Sequence, residues 1–106
     1  MAIIILPDAR EDLLSLQEYM LNKWSETDWL NAENEIFEKL ALVDTGLLTG
    51  APVQELASVG MFEYKTAFTS HHKLVYRRID SEVYVYVIAS HRQDFPTLLT
   101  RRLLKI

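Results

Sequence analysis

The sequence contains no cysteine. A chain without cysteine cannot form a disulfide, a zinc site with thiolate ligands or a cysteine nucleophile, so any metal would have to be held by histidine and carboxylate groups. The adjacent histidines, His71 and His72, would point to opposite faces of an extended strand, which is a poor arrangement for holding one ion. The composition therefore predicts no metal site, and it favours a reducing cytoplasm.

Long hydrophobic runs are missing as well. The most apolar segment, residues 2–6, is short and lacks the preceding basic region and the cleavage site of a signal peptide. No segment approaches the roughly 20 apolar residues that span a membrane. The chain also lacks a glycine-rich phosphate loop, a nucleophile elbow and an internal repeat. These absences predict a cytoplasmic protein with no membrane partner and no cofactor. The length of 106 residues and the hydrophobic content of 49% predict a single domain over residues 1–106.

Charge, in contrast, is abundant and unevenly distributed. Residues 1–63 carry three Lys or Arg against twelve Asp or Glu, whereas residues 64–106 carry eight against three. The net charge of −4 therefore divides into −9 and +5. Clustered cations can attract a polyanionic partner through their local field even when the whole chain is acidic. The alternative is that each half is simply solvated by its own charges.

A strand and a helix are predicted at the start of the chain. Residues 2–6 are short, apolar and β-branched, and Pro7 stops this strand because proline favours the first turn of a helix. The acidic residues Asp8, Glu11 and Asp12 suit the positive end of a helix dipole. A single apolar stripe then recurs at spacings of three and four, formed by Ala9, Leu13, Leu16, Met20 and Trp24.

A second helix is predicted to follow at once. Ser25 and Asp28 resemble a capping box, and the helix should extend to about Leu42. Its apolar stripe consists of Trp29, Ala32, Ile36 and Leu40, with Phe37 beside it. The two helices should form a hairpin. Trp24 and Trp29 bracket its turn, and we expect both to pack in the core or the hairpin rather than to serve as a stacking platform.

The second half of the chain is predicted to be rich in strands. The periodicity stops between residues 43 and 60, where glycine and proline mark a long connection. Alternating patterns then predict an antiparallel meander over residues 61–68, 73–79 and 83–90. In the middle strand, alternation places Leu74, Tyr76 and Arg78 on one face. The opposite face would carry Lys73, Val75, Arg77 and Ile79.

A short last helix is expected to begin at Pro96. Its apolar side would carry Leu99, Leu103 and Ile106, leaving Arg101, Arg102 and Lys105 largely elsewhere. The predicted fold class is therefore α+β: an N-terminal strand, a two-helix hairpin, a three-stranded antiparallel meander that completes a small sheet, and a short C-terminal helix.

Three segments together resemble one known family. They are residues 9–14 (AREDLL), residues 72–80 (HKLVYRRID) and residues 85–96 (VYVIASHRQDFP). In their order and spacing they are similar to the RelE/ParE superfamily of toxins from type II toxin–antitoxin modules, and the resemblance covers nearly the whole chain. It implies a hetero-oligomer in which an extended or helical segment of a cognate antitoxin wraps around the sheet and helices, with a toxin dimer as a further option.

The resemblance leaves two targets open. RelE-like members are metal-independent ribonucleases that cut mRNA in the ribosomal A site, whereas ParE-like members block DNA gyrase. Cleavage requires a base, cations beside the phosphate and an acid for the leaving group. On the resemblance, Glu55 would be the base, Lys73 would contact the phosphate, and Arg92 would be a further cation. His91, beside Arg92, is the best candidate for the acid because histidine can donate or accept a proton at neutral pH. Solvated strand ends are the alternative for both cations, and His91 could simply end a strand.

One departure favours the gyrase-directed branch. Many RelE-like ribonucleases carry a tyrosine near their C-terminus, where this chain has Phe95, which cannot donate a proton. The string HRQDFP at residues 91–96 is also more similar to ParE-type tails. Residues that could contact either target are Lys65, Lys73, Arg77, Arg78, Arg92, Phe95, Arg101 and Arg102.

A third function lies outside the toxin families. Lys65, Lys73, Arg77 and Arg78, with Tyr76 or Tyr84, could form a charged and aromatic sheet that binds nucleic acid without cleaving it. Such a protein would show steep salt dependence. Packing between strands is the commoner role of such tyrosines, including Tyr64 and Tyr86.

Overall fold

The computed structural model describes residues 2–104, and its secondary structure follows the predicted order. The elements are β1 (Ala2–Ile5), α1 (Pro7–Lys23), α2 (Glu26–Asp44), β2 (Ala51–Pro52), α3 (Gln54–Ala57), β3 (Tyr64–Phe68), β4 (His72–Ile79), β5 (Glu82–Ser90) and α4 (Phe95–Leu99), which continues as a π-helical turn over Thr100–Leu104. The α+β class is confirmed. Lys105 and Ile106, assigned by the sequence to the last helix, lie outside the described residues.

All five strands form one sheet in the order β1-β5-β4-β3-β2. The predicted meander is confirmed as β3, β4 and β5, which pair antiparallel. The β1 strand pairs parallel with β5, and the amide of Leu6 extends that pairing to the carbonyl of Val85. A bulge interrupts the pairing of β4 with β5, because Val75 pairs with Val87 while Tyr76 pairs with Val85.

A hydrophobic cluster lies on each face of the sheet. The first joins the two long helices to the sheet through Ala9, Leu16, Met20, Trp29, Ala32, Ile36, Leu40, Val43, Ala67, Leu74, Tyr76, Val83, Val85 and Ile88. The second joins the opposite face to α3 and α4 through Val53, Leu56, Tyr64, Val75, Val87, Ala89, Phe95 and Leu99. Leu74 and Tyr76 thus lie on the opposite face from Val75, as alternation predicted. Both faces of the sheet are covered.

The start of α2 confirms the predicted capping box. The amide of Asp28 donates to the Ser25 hydroxyl at 3.1 Å, and the amide of Ser25 donates to the Asp28 carboxylate at 3.3 Å. Of the two tryptophans expected to pack in the core or the hairpin, Trp29 is a core residue at 2% exposed, whereas Trp24 is 43% exposed and meets the His71 ring edge-on. Trp24 follows the last residue of α1 with non-helical dihedral angles (φ −124°, ψ −149°), so its side chain leaves the apolar stripe of that helix.

The connection over residues 43–60 is more structured than predicted. The α2 helix extends to Asp44, and β2 and α3 follow within the connection. Both elements are too short to show a periodicity in the sequence. Gly50 is required here because a Cβ at this position would lie 2.1 Å from the carbonyl oxygen of Thr66. The Gly50 amide donates to the Tyr76 hydroxyl at 2.8 Å, which fastens the connection to the sheet.

Two further boundaries differ from the prediction. The strand expected from residue 61 begins at Tyr64, after Gly60 with φ +84°. The last helix begins at Phe95 rather than Pro96, because the Asp94 side chain accepts hydrogen bonds from the amide and the hydroxyl of Thr97. These bonds lower the pKa of Asp94. Within residues 2–104, no helix is long and apolar enough to cross a bilayer.

Candidate functional site

The predicted cations do not form one patch, because the sheet separates them. Arg78 lies on the helix-covered face, where its guanidinium donates to the carbonyls of Val43 and Asp44 at the end of α2. Lys65 lines the same cavity of about 480 Å³ as Arg78. Arg77 lies on the opposite face, 5.8 Å from the centre of the Tyr64 ring. The sheet therefore separates Arg77 from Lys65 and Arg78, which share one cavity.

Lys73 lies at the other end of β4, among aromatic rings. Its ammonium is 4.0 Å from the centre of the Phe95 ring and 5.5 Å from that of Phe68. Phe68 ends β3 and pairs with Lys73 across the strands. The His91 ring stacks on Phe68 with centroids 6.2 Å apart and planes at 18°. We call these four residues, Phe68, Lys73, His91 and Phe95, the Lys73 cluster.

One ring nitrogen of His91 forms a hydrogen bond within the fold, and the other does not. Its Nε2 lies 3.2 Å from the carbonyl oxygen of Thr69. Because a carbonyl only accepts, Nε2 carries the proton in this hydrogen bond, which leaves Nδ1 of a neutral ring as the acceptor. The side chain is exposed. Nδ1 of His91 is therefore available to accept a hydrogen bond from a partner or substrate at this end of the sheet.

Arg92 points away from the Lys73 cluster, toward α1. Its guanidinium donates to the hydroxyl of Tyr19, near the end of that helix. Two cavities meet at this pair. One, of about 220 Å³, extends toward Trp24, His71 and His91, and the other, of about 380 Å³, extends toward Asp12 and Gln93. Leu16, Tyr19, Ser90 and Arg92 line both, so we describe them together as the Arg92 groove.

All three histidines of the chain lie at this end of the sheet. His71 meets the Trp24 ring edge-on with centroids 5.0 Å apart. His72 is 2% exposed, and its Nδ1 has no hydrogen-bond partner. Burial, together with the charges of His71 and His91, lowers the pKa of His72 to about 4. His72 is therefore neutral at pH 7 and belongs to the fixed part of the site.

The turn between β3 and β4 is tied to α2 near these histidines. The Glu35 carboxylate accepts hydrogen bonds from the Ser70 amide at 3.0 Å and from the Ser70 hydroxyl at 2.8 Å. These bonds lower the pKa of Glu35. No group of three His, Asp or Glu side chains within the described part of the chain is arranged to hold a metal ion.

Glu55, the predicted base, lies on a different element. It is exposed in the first turn of α3. Among residues 2–104, Glu55 makes no side-chain hydrogen bond or ion pair with His91, Arg92 or Lys73. The structure thus brings Lys73 and His91 together around Phe68. It places Arg92 with His91, but not with Lys73, in the groove, and it leaves Glu55 apart.

Arg102 has a structural role that its neighbour Arg101 lacks. Its guanidinium donates to both oxygens of the Asp12 carboxylate, at 2.9 and 2.8 Å, and to the carbonyl of Tyr86 at 3.0 Å. The hydrogen bond to Asp12 raises the pKa of Arg102. Arg101 is exposed. Of the two predicted binding residues, Arg101 is the one accessible to a partner.

The tyrosines of the sheet serve mainly as packing residues. Tyr76 is buried beneath the helices, and Tyr84 is half-buried. The rings of Tyr64 and Tyr86 meet edge-on with centroids 5.1 Å apart. Burial raises the pKa of Tyr86. Sequence reasoning missed Tyr19 as a site residue, because a half-exposed tyrosine beside an apolar helical stripe carries no distinct signal.

Comparison with known families gives one match. The sequence model of a family described as "ParE toxin of type II toxin-antitoxin system, parDE" matches residues 3–95. The matched segment includes both long helices, nearly all of the sheet and the whole Lys73 cluster. A search of curated proteins found no match to the chain.

Proposed function

Because this chain belongs to the ParE toxin family, and is therefore the toxin of a type II toxin–antitoxin system with a cognate antitoxin as its partner, we propose that it inhibits growth by blocking DNA gyrase. The toxin would act in the cytoplasm, and binding of the antitoxin in a hetero-oligomer would keep it from its target. The Lys73 cluster and the exposed Arg101 would contact gyrase.

The environment of Phe95 is the observation that carries this proposal. At the position where the resemblance places a tyrosine in ribonucleolytic relatives, Phe95 is 7% exposed and has the Lys73 ammonium over its ring. A phenylalanine in this position cannot donate a proton to a leaving group. A cation fixed over rings is instead a rigid recognition element for a partner surface. Recognition is thus better supported than catalysis.

RNA cleavage is the second candidate, and the free Nδ1 of the exposed His91 is the observation that favours it. The other groups fit this chemistry less well. Arg92 is directed toward Tyr19, and Glu55 stands apart on α3. A base and an acid on one phosphodiester would have to lie within hydrogen-bonding distance of the same ribose and phosphate. Cleavage would therefore require both groups to move.

The nucleic-acid-binding alternative has less support. It depends on an open sheet face with cations and aromatic rings side by side. Here helices cover one face of the sheet and the C-terminal segment covers the other. Arg77 and Arg78 lie on opposite faces. A base could not stack on Tyr76 without displacing α2.

The test is supercoiling of relaxed plasmid by gyrase in the presence of the toxin, purified free of antitoxin. The same preparation would be added to translating ribosomes with labelled mRNA. Loss of supercoiling with intact mRNA is the expected result. Cleavage of mRNA in the A site with normal supercoiling would overturn the proposal in favour of a ribonuclease, and Arg92→Ala should then abolish the cleavage.

A matched pair of substitutions tests the contact surface. Phe68 and Phe62 are both exposed phenylalanines, at 50% and 59%, but only Phe68 belongs to the Lys73 cluster. Phe68→Ala should raise the toxin concentration needed for half-inhibition of gyrase at least about tenfold, the loss typical of a contact residue near the centre of an interface. Phe62→Ala should leave it unchanged. Equal effects of the two variants would exclude the Lys73 cluster as the contact surface.

A further inference from the structure

We propose that the Arg92 groove is a binding site for a free mononucleotide, with the base beside Trp24 and the phosphate on Arg92. The groove has the size for such a ligand. Its two cavities, of about 220 and 380 Å³, meet at the Arg92 and Tyr19 side chains. Small-molecule sites typically have volumes of roughly 300–1,000 Å³. A mononucleotide can therefore extend from one cavity into the other.

The groove provides an anion site at its centre. Among residues 2–104, Arg92 has no carboxylate partner, and its one side-chain hydrogen bond goes to the neutral hydroxyl of Tyr19. A guanidinium has five N–H donors, so its other donors can bind a phosphate. His71 and His91 line the same cavity as Arg92.

The acidic residue that lines the groove does not oppose this anion site. Asp12 is bound by both terminal nitrogens of the Arg102 guanidinium and also accepts the amide of Ile88 at 3.0 Å. Its charge is therefore compensated within the fold. Arg92 remains the uncompensated charge of the groove, so the local field favours an anion.

The smaller cavity provides the place for a ring. Trp24 forms its wall and is 43% exposed, an uncommon position for so large an aromatic side chain. The buried side chains of Leu16 and Met20 form an apolar floor. Aromatic stacking and a guanidinium are the two elements by which proteins bind nucleotides without reading sequence. An anion without a ring would leave the Trp24 cavity empty.

The test is isothermal titration calorimetry of the toxin with adenosine monophosphate, adenosine and inorganic phosphate, at one pH and one salt concentration. Adenosine monophosphate should bind at least tenfold more tightly than either of its parts. It should also quench the fluorescence of exposed Trp24, while buried Trp29 should be little affected. Equal affinity for phosphate alone, equal affinity for adenosine alone, or no binding would each overturn the proposal.

Variants locate the site. Arg92→Ala should weaken binding of adenosine monophosphate at least tenfold and leave the weak binding of adenosine unchanged. Trp24→Ala should weaken the binding of both. Arg10→Ala is the matched control, since Arg10 is an exposed arginine on α1, the helix that contributes Tyr19, and lies outside the groove. If Arg10→Ala weakened binding as much as Arg92→Ala, the binding would be a nonspecific effect of overall charge and the groove would not be the site. These titrations contain no gyrase, so their outcome is independent of the proposed function.

Discussion

The two ends of α1 each face an arginine, and they hold it in opposite ways. Near the start of the helix, Asp12 binds Arg102 with both carboxylate oxygens, and the two side chains are only 13% and 17% exposed. Near the end of the helix, the neutral hydroxyl of Tyr19 binds exposed Arg92. An arginine with a full set of partners stabilises the fold, whereas one with a neutral partner remains available to a ligand.

Arg102 and Arg92 also differ in the number of structural elements that their side chains join. The Asp12 carboxylate accepts the amide of Ile88 as well as the Arg102 guanidinium, so one side chain joins α1, β5 and the C-terminal segment. Removal of either partner would leave a charge in a site that water reaches poorly. Arg92 connects one exposed helix position to the end of one strand, and water can replace Tyr19 there.

The largest effect is expected for Arg102→Leu. This change should lower the free energy of unfolding by about 3–5 kcal/mol, since it leaves the poorly exposed Asp12 carboxylate unpaired. Arg92→Leu should change it by less than about 0.5 kcal/mol, the range of exposed surface positions. Urea unfolding of both variants measures the difference. Arg101→Leu is the control. If Arg102→Leu and Arg92→Leu lowered the free energy of unfolding by similar amounts, the two arginines would not differ in their structural role.

These two arginines also show how far sequence reasoning extends. Both helices were predicted because periodicity and capping are local, and Ser25 and Asp28 are three residues apart. The placement of Lys73 on the face of Val75 followed from alternation. The partner of Asp12, however, is 90 residues away, and the sequence indicated only that Asp12 suits a helix N-terminus. No short-range pattern distinguishes Arg102 from Arg92.

Other parts of the site depend on where the chain changes direction. Trp24 fits the apolar stripe of α1, but it follows the last helical residue, and its backbone angles direct it out to the groove. The parallel pairing of β1 with β5 depends on how the two helices return the chain to the sheet. Both outcomes are set by tertiary packing, which overrides local preference.

The second effect in size concerns His72, the fixed residue beneath the groove. Its pKa of about 4 in the folded protein is below its ordinary value of 6.5, so the unfolded chain binds more protons between these pH values. Stability should therefore be fully present above pH 6.5 and fall as the pH drops toward 4. The loss should be about 2–3 kcal/mol. Urea unfolding at a series of pH values measures it.

A neutral substitute isolates the contribution of His72. His72→Gln should flatten the curve between pH 5 and 6.5, while His71→Gln should leave most of the slope in place. The hydrogen bonds from Ser70 lower the pKa of Glu35, so Glu35 also destabilises the fold as the pH falls. Its effect comes at lower pH, near the range where ordinary carboxyl groups titrate. An unchanged slope in His72→Gln would mean that His72 does not cause this loss of stability.

A smaller effect is expected from the cap of α2, one residue beyond Trp24. Ser25→Ala removes the acceptor of the Asp28 amide and should cost about 1 kcal/mol of unfolding free energy. Thr27→Ala, in the same first turn but outside the cap, should cost little. A loss for Ser25→Ala well below that of Arg102→Leu would show that a local cap stabilises the groove end, whereas a long-range ion pair stabilises the other end of α1.

The smallest effect is expected for Tyr19→Phe, which removes the partner of Arg92 and keeps the ring. We expect a change within about 0.5 kcal/mol, because the hydrogen bond is exposed and water can satisfy both groups. A double-mutant cycle gives the sharper comparison. The coupling between Tyr19→Phe and Arg92→Leu should be below about 0.5 kcal/mol, and that between Asp12→Asn and Arg102→Leu should be above about 1 kcal/mol. A strong Tyr19–Arg92 coupling would mean that Arg92 also belongs to the framework, and that a ligand in the groove must break this bond before it can bind.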